Sequence, residues 1–179
     1  LSGVDTYLGP EMKSTGEVMG VDGTFEAAVA KALLAGGLML PPSGSVLLSI
    51  ADRDKAEALP LVTNLAKAKY RLYATEGTAM MIQALGLNVS MIPKRLAESH
   101  PNVVDVIDDG TVDAVVNTIS RSSTTIRDGF YIRRAAVERG IPCYTSLDTA
   151  RAAVESLLHG AGAYNVRPSH DYLAGGLDQ

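Results

Sequence analysis

Val46-Leu47-Leu48-Ser49-Ile50-Ala51-Asp52-Arg53-Asp54-Lys55, continuing through Ala58, Leu61, Val62 and Leu65, is the stretch that decides the fold. Val46 to Ile50 is apolar except for one serine and shows no alternation of polar and apolar residues. A run that short and that uniformly apolar is the pattern of a strand covered on both faces. Asp54 then reads as a helix cap, and the four apolar residues after it recur at helical spacing on one inner face. Pro60 falls inside that pattern and predicts a bend or a late start. A doubly covered strand leading into an amphipathic helix is the first half of a βαβ unit.

The pattern repeats toward the C-terminus. Tyr70 to Tyr73, Val89 to Ile92, Val112 to Val116 and Ile141 to Tyr144 are short apolar runs that read as strands. Between them lie helical patterns at Gly77 to Leu85, Val103 to Asp108 and Ile126 to Arg139, closed by Gly86, Gly110 and Gly140. Leu147 to Leu158 is a last helix, with Ala150, Val154, Leu157 and Leu158 on one face. This order predicts an α/β fold: three layers, with a mainly parallel sheet of about five strands and helices on both faces, Rossmann-like in type.

Toward the N-terminus the character changes. Leu1 to Gly20 is rich in Gly, Ser, Thr and Pro without sustained periodicity. Thr24 is an N-cap signal before a stripe of Phe25, Ala28, Val29, Ala32 and Leu33, which stops at Gly36-Gly37. Pro41-Pro42-Ser43-Gly44 reads as a linker. The expected division is 1–42 as the end of a preceding unit and linker, 43–159 as the main domain, and 160–179 as a polar tail.

The 179 residues are 46% hydrophobic and 20% charged, with net charge -4. That composition is globular and offers no electrostatic reason to expect nucleic-acid binding. No apolar run approaches the ~20 residues of a spanning helix, so no membrane association is expected. The single cysteine, Cys143, excludes an intrachain disulfide and fits a reducing, cytoplasmic setting. Its apolar neighbours favour a buried structural thiol over a nucleophile.

Polar clusters follow the strands, and in a parallel sheet those ends share one edge. Lys55 stands in the first turn of the helix after the first strand, where backbone N–H groups favour an anion. The alternative for Lys55 is an ordinary exposed first turn of mixed charge. Thr75 and Thr78 flank Gly77 in Ala74-Thr75-Glu76-Gly77-Thr78-Ala79, between a strand and a helix. Two hydroxyls around a glycine suit a phosphate; a single Thr serving as a cap is the other reading. The stretch lacks both the Gly-Lys-Ser/Thr of a Walker loop and the repeated glycines of a dinucleotide fingerprint. Lys94 follows the third strand, and Asn117, Thr118 and Ser120 follow the fourth. Together they predict an anion pocket of the kind that suits a phosphate.

Groups for turnover are scarce. His100, His159 and His170 are scattered without metal-ligand spacing, and Asp108-Asp109 reads as a turn before Gly110. No catalytic residue, metal site or cofactor is expected in this chain. Arg133-Arg134 with Glu138 and Arg139 reads as a solvated helix face, or as one that meets a partner subunit.

Several stretches bear a resemblance. Pro10-Glu11-Met12-Lys13-Ser14-Thr15-Gly16-Glu17-Val18-Met19-Gly20 is similar to the end of the synthetase half of the carbamoyl-phosphate synthase large subunit. Leu48-Ser49-Ile50 with Asp54-Lys55, Ala74 to Ala79, Val116-Asn117-Thr118 and Ile132-Arg133-Arg134-Ala135-Ala136 resemble that subunit's C-terminal allosteric domain, which is of the methylglyoxal-synthase-like type. The resemblance implies a regulatory module that binds nucleotide effectors, with UMP as inhibitor and IMP or ornithine as further ligands in some members. Phosphate would be held at Lys55, Thr75, Thr78 and Lys94, with Asn117 and its neighbours completing the site.

For the parent protein the resemblance implies synthesis of carbamoyl phosphate from glutamine, bicarbonate and two ATP, with Mg or Mn, for pyrimidines and arginine. The implied partners are the synthetase domain of the same chain, a glutamine amidotransferase small subunit, and a homo-oligomeric partner. Ile119 replaces a second Thr found in UMP-responsive members, and Tyr144 replaces the acidic residue of ornithine-responsive ones. The competing expectation is a free-standing methylglyoxal synthase acting on dihydroxyacetone phosphate. Synthases carry a Gly-Gly-Asp run after the third strand, where this chain reads Ser99-His100-Pro101-Asn102-Val103, with Asp105 as a weak substitute for the base.

Overall fold

The structure, a computed structural model, describes residues 18–94, 100–118, 123–158, 166–168 and 171. Helix α1 (Phe25–Ala35) comes first. Strand β1 (Ser45–Ser49) follows, then a 3-10 turn (Asp52–Asp54), α2 (Lys55–Lys67), β2 (Arg71–Thr75), α3 (Glu76–Ala84) and β3 (Ser90–Ile92). The chain continues through α4 (Val103–Asp108), β4 (Ala114–Asn117), α5 (Ser123–Arg139), β5 (Cys143–Tyr144) and α6 (Leu147–Leu158).

The five strands form one sheet in the order β3-β2-β1-β4-β5, and every pair is parallel. Alternate side chains feed two cores. Val46, Leu48, Leu72, Ala74, Ala114 and Val116 meet the inner faces of α2, α3 and α6. Leu47, Tyr73 and Val115 meet α4 and α5 on the other side. Right-handed crossovers require this split. The moves from β1 to β2 to β3 carry α2 and α3 over one face, and the opposite moves through β4 to β5 carry α4 and α5 over the other. The result is the three-layer α/β fold that the alternation of runs predicts.

Some boundaries differ from the sequence reading. The turn Asp52–Asp54 precedes α2, and Asp54 adopts helical angles with no side-chain capping bond. Pro60 is accommodated inside α2 rather than delaying its start. Thr24 does cap α1, its hydroxyl accepting from the Ala27 N–H at 3.3 Å.

α1 packs against α6, and Leu33 and Leu40 enter the same core as the sheet. Two buried tyrosines bolt the intervening connector down. The Tyr144 hydroxyl donates to the Leu38 carbonyl at 2.6 Å, and the Tyr70 hydroxyl donates to the Pro41 carbonyl. Tyr144 therefore faces the connector.

Candidate functional site

Strand order reverses between β1 and β4, so the crevice beyond their C-terminal ends is the topological switch point of the sheet. Ser49 of β1 stands beside Asn117 of β4 in register. The Thr118 N–H donates to the Ser49 carbonyl at 3.2 Å, and the Thr118 hydroxyl accepts from the Ala51 N–H at 2.8 Å. Thr78 reaches the same segment from α3, accepting from the Ile50 N–H at 3.0 Å, and Thr75 donates to the Thr78 hydroxyl at 3.4 Å. The loop leaving β1 is thus fastened by hydroxyls from both flanking strand ends.

These bonds qualify what each hydroxyl has left to offer. Thr78 is 1% exposed and engaged with backbone. Thr75 occupies the N-cap position of α3 but makes no capping bond. The first-turn N–H groups of α3 are therefore not closed off by their own cap, which leaves the positive end of the helix open to an anion.

Lys55 lies directly over that helix end. A Cβ built on Gly77 would stand 2.9 Å from Lys55 Nζ, so the ammonium approaches the backbone of the first turn of α3 through space only a glycine leaves. The same ammonium pairs with Asp52 at 2.6 Å. The hydrogen bond and charge of Lys55 hold the Asp52 carboxyl below the usual carboxylate range, with a smaller contribution from Lys94. Burial lowers the Lys94 ammonium from its ordinary value, opposed by the charges of Asp128 and Asp52. Lys55, Asp52, Lys94 and Asp128 therefore share one electrostatic neighbourhood, built from the ends of β1 and β3 and the start of α5.

Asn117 is engaged differently. Its Oδ1 accepts from Arg133 Nη1 at 2.8 Å, and its Nδ2 donates to the Ser49 carbonyl at 3.5 Å. Arg133 is only 3% exposed, which corrects the reading of this residue as part of a solvated face. The signal was present in the sequence: Gly129, Arg133 and Ala136 fall on one side of α5 at spacings of four and three. A Cβ on Gly129 would come within 2.9 Å of Arg133 Nη1 and 3.3 Å of Asn117 Oδ1, so the glycine makes room for the pair. Arg134, by contrast, is exposed and paired with Glu138 at 2.7 Å. Asp52 and Asp128 were also missed. Asp52 stands three residues before Lys55, a spacing that brings the two together, whereas nothing in the spacing of Asp128 marks it as a neighbour of the lysines.

α4 begins beside the end of β3, where the Val103 N–H donates to the Pro93 carbonyl at 3.2 Å. Asp105 is committed there to a capping box. It accepts from the Asn102 N–H at 2.8 Å and lies 2.6 Å from His100 Nδ1. The Asn102 N–H bond, then the His100 bond, hold its carboxyl below the usual range. Cys143 is half-buried against the α4–α5 core.

Ser120 lies outside the described residues, as do Ile119, Arg121, His159 and His170. Among the described residues no three His, Cys, Asp or Glu side chains gather as a metal site, and no helix is long and apolar enough to cross a membrane.

The MGS-like domain family matches residues 57–145. A carbamoyl phosphate synthase large chain from Thermomicrobium roseum is 53% identical over 172 residues, covering 96% of this chain and 16% of that protein. The C-terminal section of a carbamoyl phosphate synthase large chain from Methanopyrus kandleri is 44% identical over 155 residues, 87% of this chain and 28% of that protein. The chain thus spans less than a third of the length of either relative. Among solved structures, methylglyoxal synthase from Elizabethkingia anophelis has the same fold, with a TM-score of 0.51 at 18% identity over 75% of this chain and 92% of that one. Residues 57–145 belong to the MGS-like domain family, carried in a chain that is similar over nearly its whole length to carbamoyl phosphate synthase large chains.

Proposed function

We propose that this chain is the regulatory part of a glutamine-hydrolysing carbamoyl phosphate synthase, and that its MGS-like domain binds a phosphorylated effector, a nucleotide such as UMP or IMP. The observation that carries the reading is the Lys55 ammonium set over the uncapped N-terminus of α3 at Gly77. A full positive charge and aligned backbone N–H groups at one point favour a phosphate. Lys55, Thr75, Thr78 and Lys94 hold the phosphate. Asn117, Thr118 and Ser120 form the far side of the site. Residues 1–42 complete a synthetase domain, 43–159 are the effector domain and 160–179 a tail.

The parent protein uses ATP with Mg or Mn, works with a glutamine amidotransferase subunit, and serves pyrimidine and arginine synthesis in the cytoplasm. Binding in the effector domain shifts the synthetase through a coupling of about 1–3 kcal/mol, roughly 5–150-fold in affinity. The competing synthase reading needs a carboxylate base beside the phosphate, and Asp105 is disfavoured for it. Its oxygens serve the α4 capping box, and its lowered pKa makes it a weaker base.

Calorimetry with UMP, IMP and inorganic phosphate tests the reading. Saturable binding of at least one is expected, with loss on Lys55→Glu. A folded chain that binds none of the three overturns it, and formation of methylglyoxal from dihydroxyacetone phosphate transfers the assignment to the synthase.

A further inference from the structure

The 3-10 turn between β1 and α2 carries two carboxylates that face different ways. Asp54 turns to Arg53, whose Nε donates to Asp54 Oδ1 at 3.1 Å. Asp52 instead reaches Lys55 Nζ at 2.6 Å, the same ammonium that stands over Gly77 at the amino end of α3. The Asp52 side chain is 93% exposed while Lys55 is 25% exposed, so the ammonium is fixed in the crevice and the carboxylate comes to it from solvent.

We propose that Asp52 is a built-in counter-anion of the phosphate site, which holds Lys55 and must yield its place to the ligand, and so sets the site's affinity. The inference rests on the effector-binding reading and adds a residue that restrains it. An ammonium already paired has less to gain from a phosphate, because part of its charge is spent on the carboxylate that the phosphate displaces. Exposure makes the exchange possible without rearranging the core: Asp52, already in water, swings aside with little change in its hydration. The device weakens binding by a modest factor, because an exposed i,i+3 pair is a weak competitor. The domain then discriminates between low and high effector concentrations instead of remaining saturated.

The test is calorimetric titration of wild type, Asp52→Asn and Asp54→Asn with inorganic phosphate and with UMP. Asp52→Asn is expected to bind roughly two- to fivefold more tightly than wild type, the size an exposed pair of this kind implies. Asp54→Asn removes an equal charge from the same turn and is expected to change binding less. In wild type, the carboxyl carbon resonance of Asp52 should titrate at higher pH when the protein is saturated with phosphate, because the Lys55 partner has been taken. Equal or weaker binding by Asp52→Asn overturns the proposal, as does an equal gain in Asp54→Asn or an unmoved Asp52 titration. If neither wild type nor Asp52→Asn binds phosphate or UMP, the effector-binding reading itself fails.

Discussion

Lys69 adopts a left-handed backbone, φ 65°, at the end of α2, a conformation that costs an L-residue about 1 kcal/mol or more. The hydrogen bonds that follow explain why it is held there. The Tyr70 N–H returns to the Leu65 carbonyl at 3.1 Å and the Lys69 N–H to Ala66 at 3.0 Å, the pattern that closes a helix end. Gly37, Gly86 and Gly140 occupy the equivalent place after α1, α3 and α5, so their helix ends are readable from composition alone, whereas a lysine there carries no such mark. Lys69→Gly is expected to raise stability by about 0.5–1 kcal/mol, seen as a higher urea midpoint at unchanged slope. For Arg133 the spacing with Gly129 and Ala136 marks the face of α5, but not the partner. A guanidinium on a helix is exposed by default, and only the meeting of α5 with the end of β4 supplies its Asn117 partner. Arg133→Met strands the Asn117 oxygen in the interior and is expected to cost about 1–3 kcal/mol on that account alone. Thermal unfolding of that variant beside Arg134→Met, which should lie within ~0.5 kcal/mol of wild type, checks that the loss belongs to the buried member of the pair.

α3 sets two demands against each other at Gly77. A glycine costs a helix interior roughly 1 kcal/mol relative to alanine and less in the first turn, where Gly77 stands, so stability alone mildly favours Gly77→Ala. The added Cβ, however, would sit 2.9 Å from Lys55 Nζ, far inside contact distance. The end of a lysine side chain moves cheaply, so the fold absorbs the change by turning the ammonium away. Gly77→Ala is therefore expected to unfold at the same or higher temperature while losing phosphate affinity, about tenfold if the charge–helix contribution approaches the ~1–2 kcal/mol of partly buried cases. A parallel loss of stability and binding would mean that the glycine serves the backbone instead. The existence of these elements was legible because each strand is a short apolar run and each helix has an apolar stripe. Their junctions were not. The 3-10 turn at Asp52–Asp54 and the uncapped Thr75 depend on bonds between loops from different strands, with Thr78 and Thr118 holding Ile50 and Ala51. Such bonds leave no periodicity in the sequence.

Across the whole molecule, the parallel sheet with helices on both faces follows from physics the sequence carries, but the strand order and the seating of α1 do not. The Pro41-Pro42-Ser43-Gly44 stretch reads as a linker, yet the carbonyls just before and within it are gripped by hydroxyls from distant elements, Tyr144 on β5 and Tyr70 before β2. Neither tyrosine was recognisable as a clamp, because its partner is a backbone carbonyl 106 residues away in one case and 29 in the other. The clamp makes stability depend on alkaline pH. Burial, aided by the charge of Asp113, pushes the Tyr70 hydroxyl up to about 12, and burial raises Tyr144 as well. An unfolded chain releases a tyrosine proton near pH 10. Between about pH 10 and 12 the unfolded state therefore binds fewer protons than the folded one, and stability must fall as pH rises. Below pH 10 both states keep the proton and the contribution is intact; above about 12 Tyr70 is ionised in both and adds no further loss. Tyr70→Phe gives up its bond to Pro41, costing about 1 kcal/mol at neutral pH, but removes one of the titrating groups. Urea unfolding at pH 8, 10, 11 and 12 should show wild type losing stability more steeply than Tyr70→Phe across that window, so that the two curves converge. Parallel curves would mean that the Tyr70 proton is no better held in the folded chain than in the unfolded one.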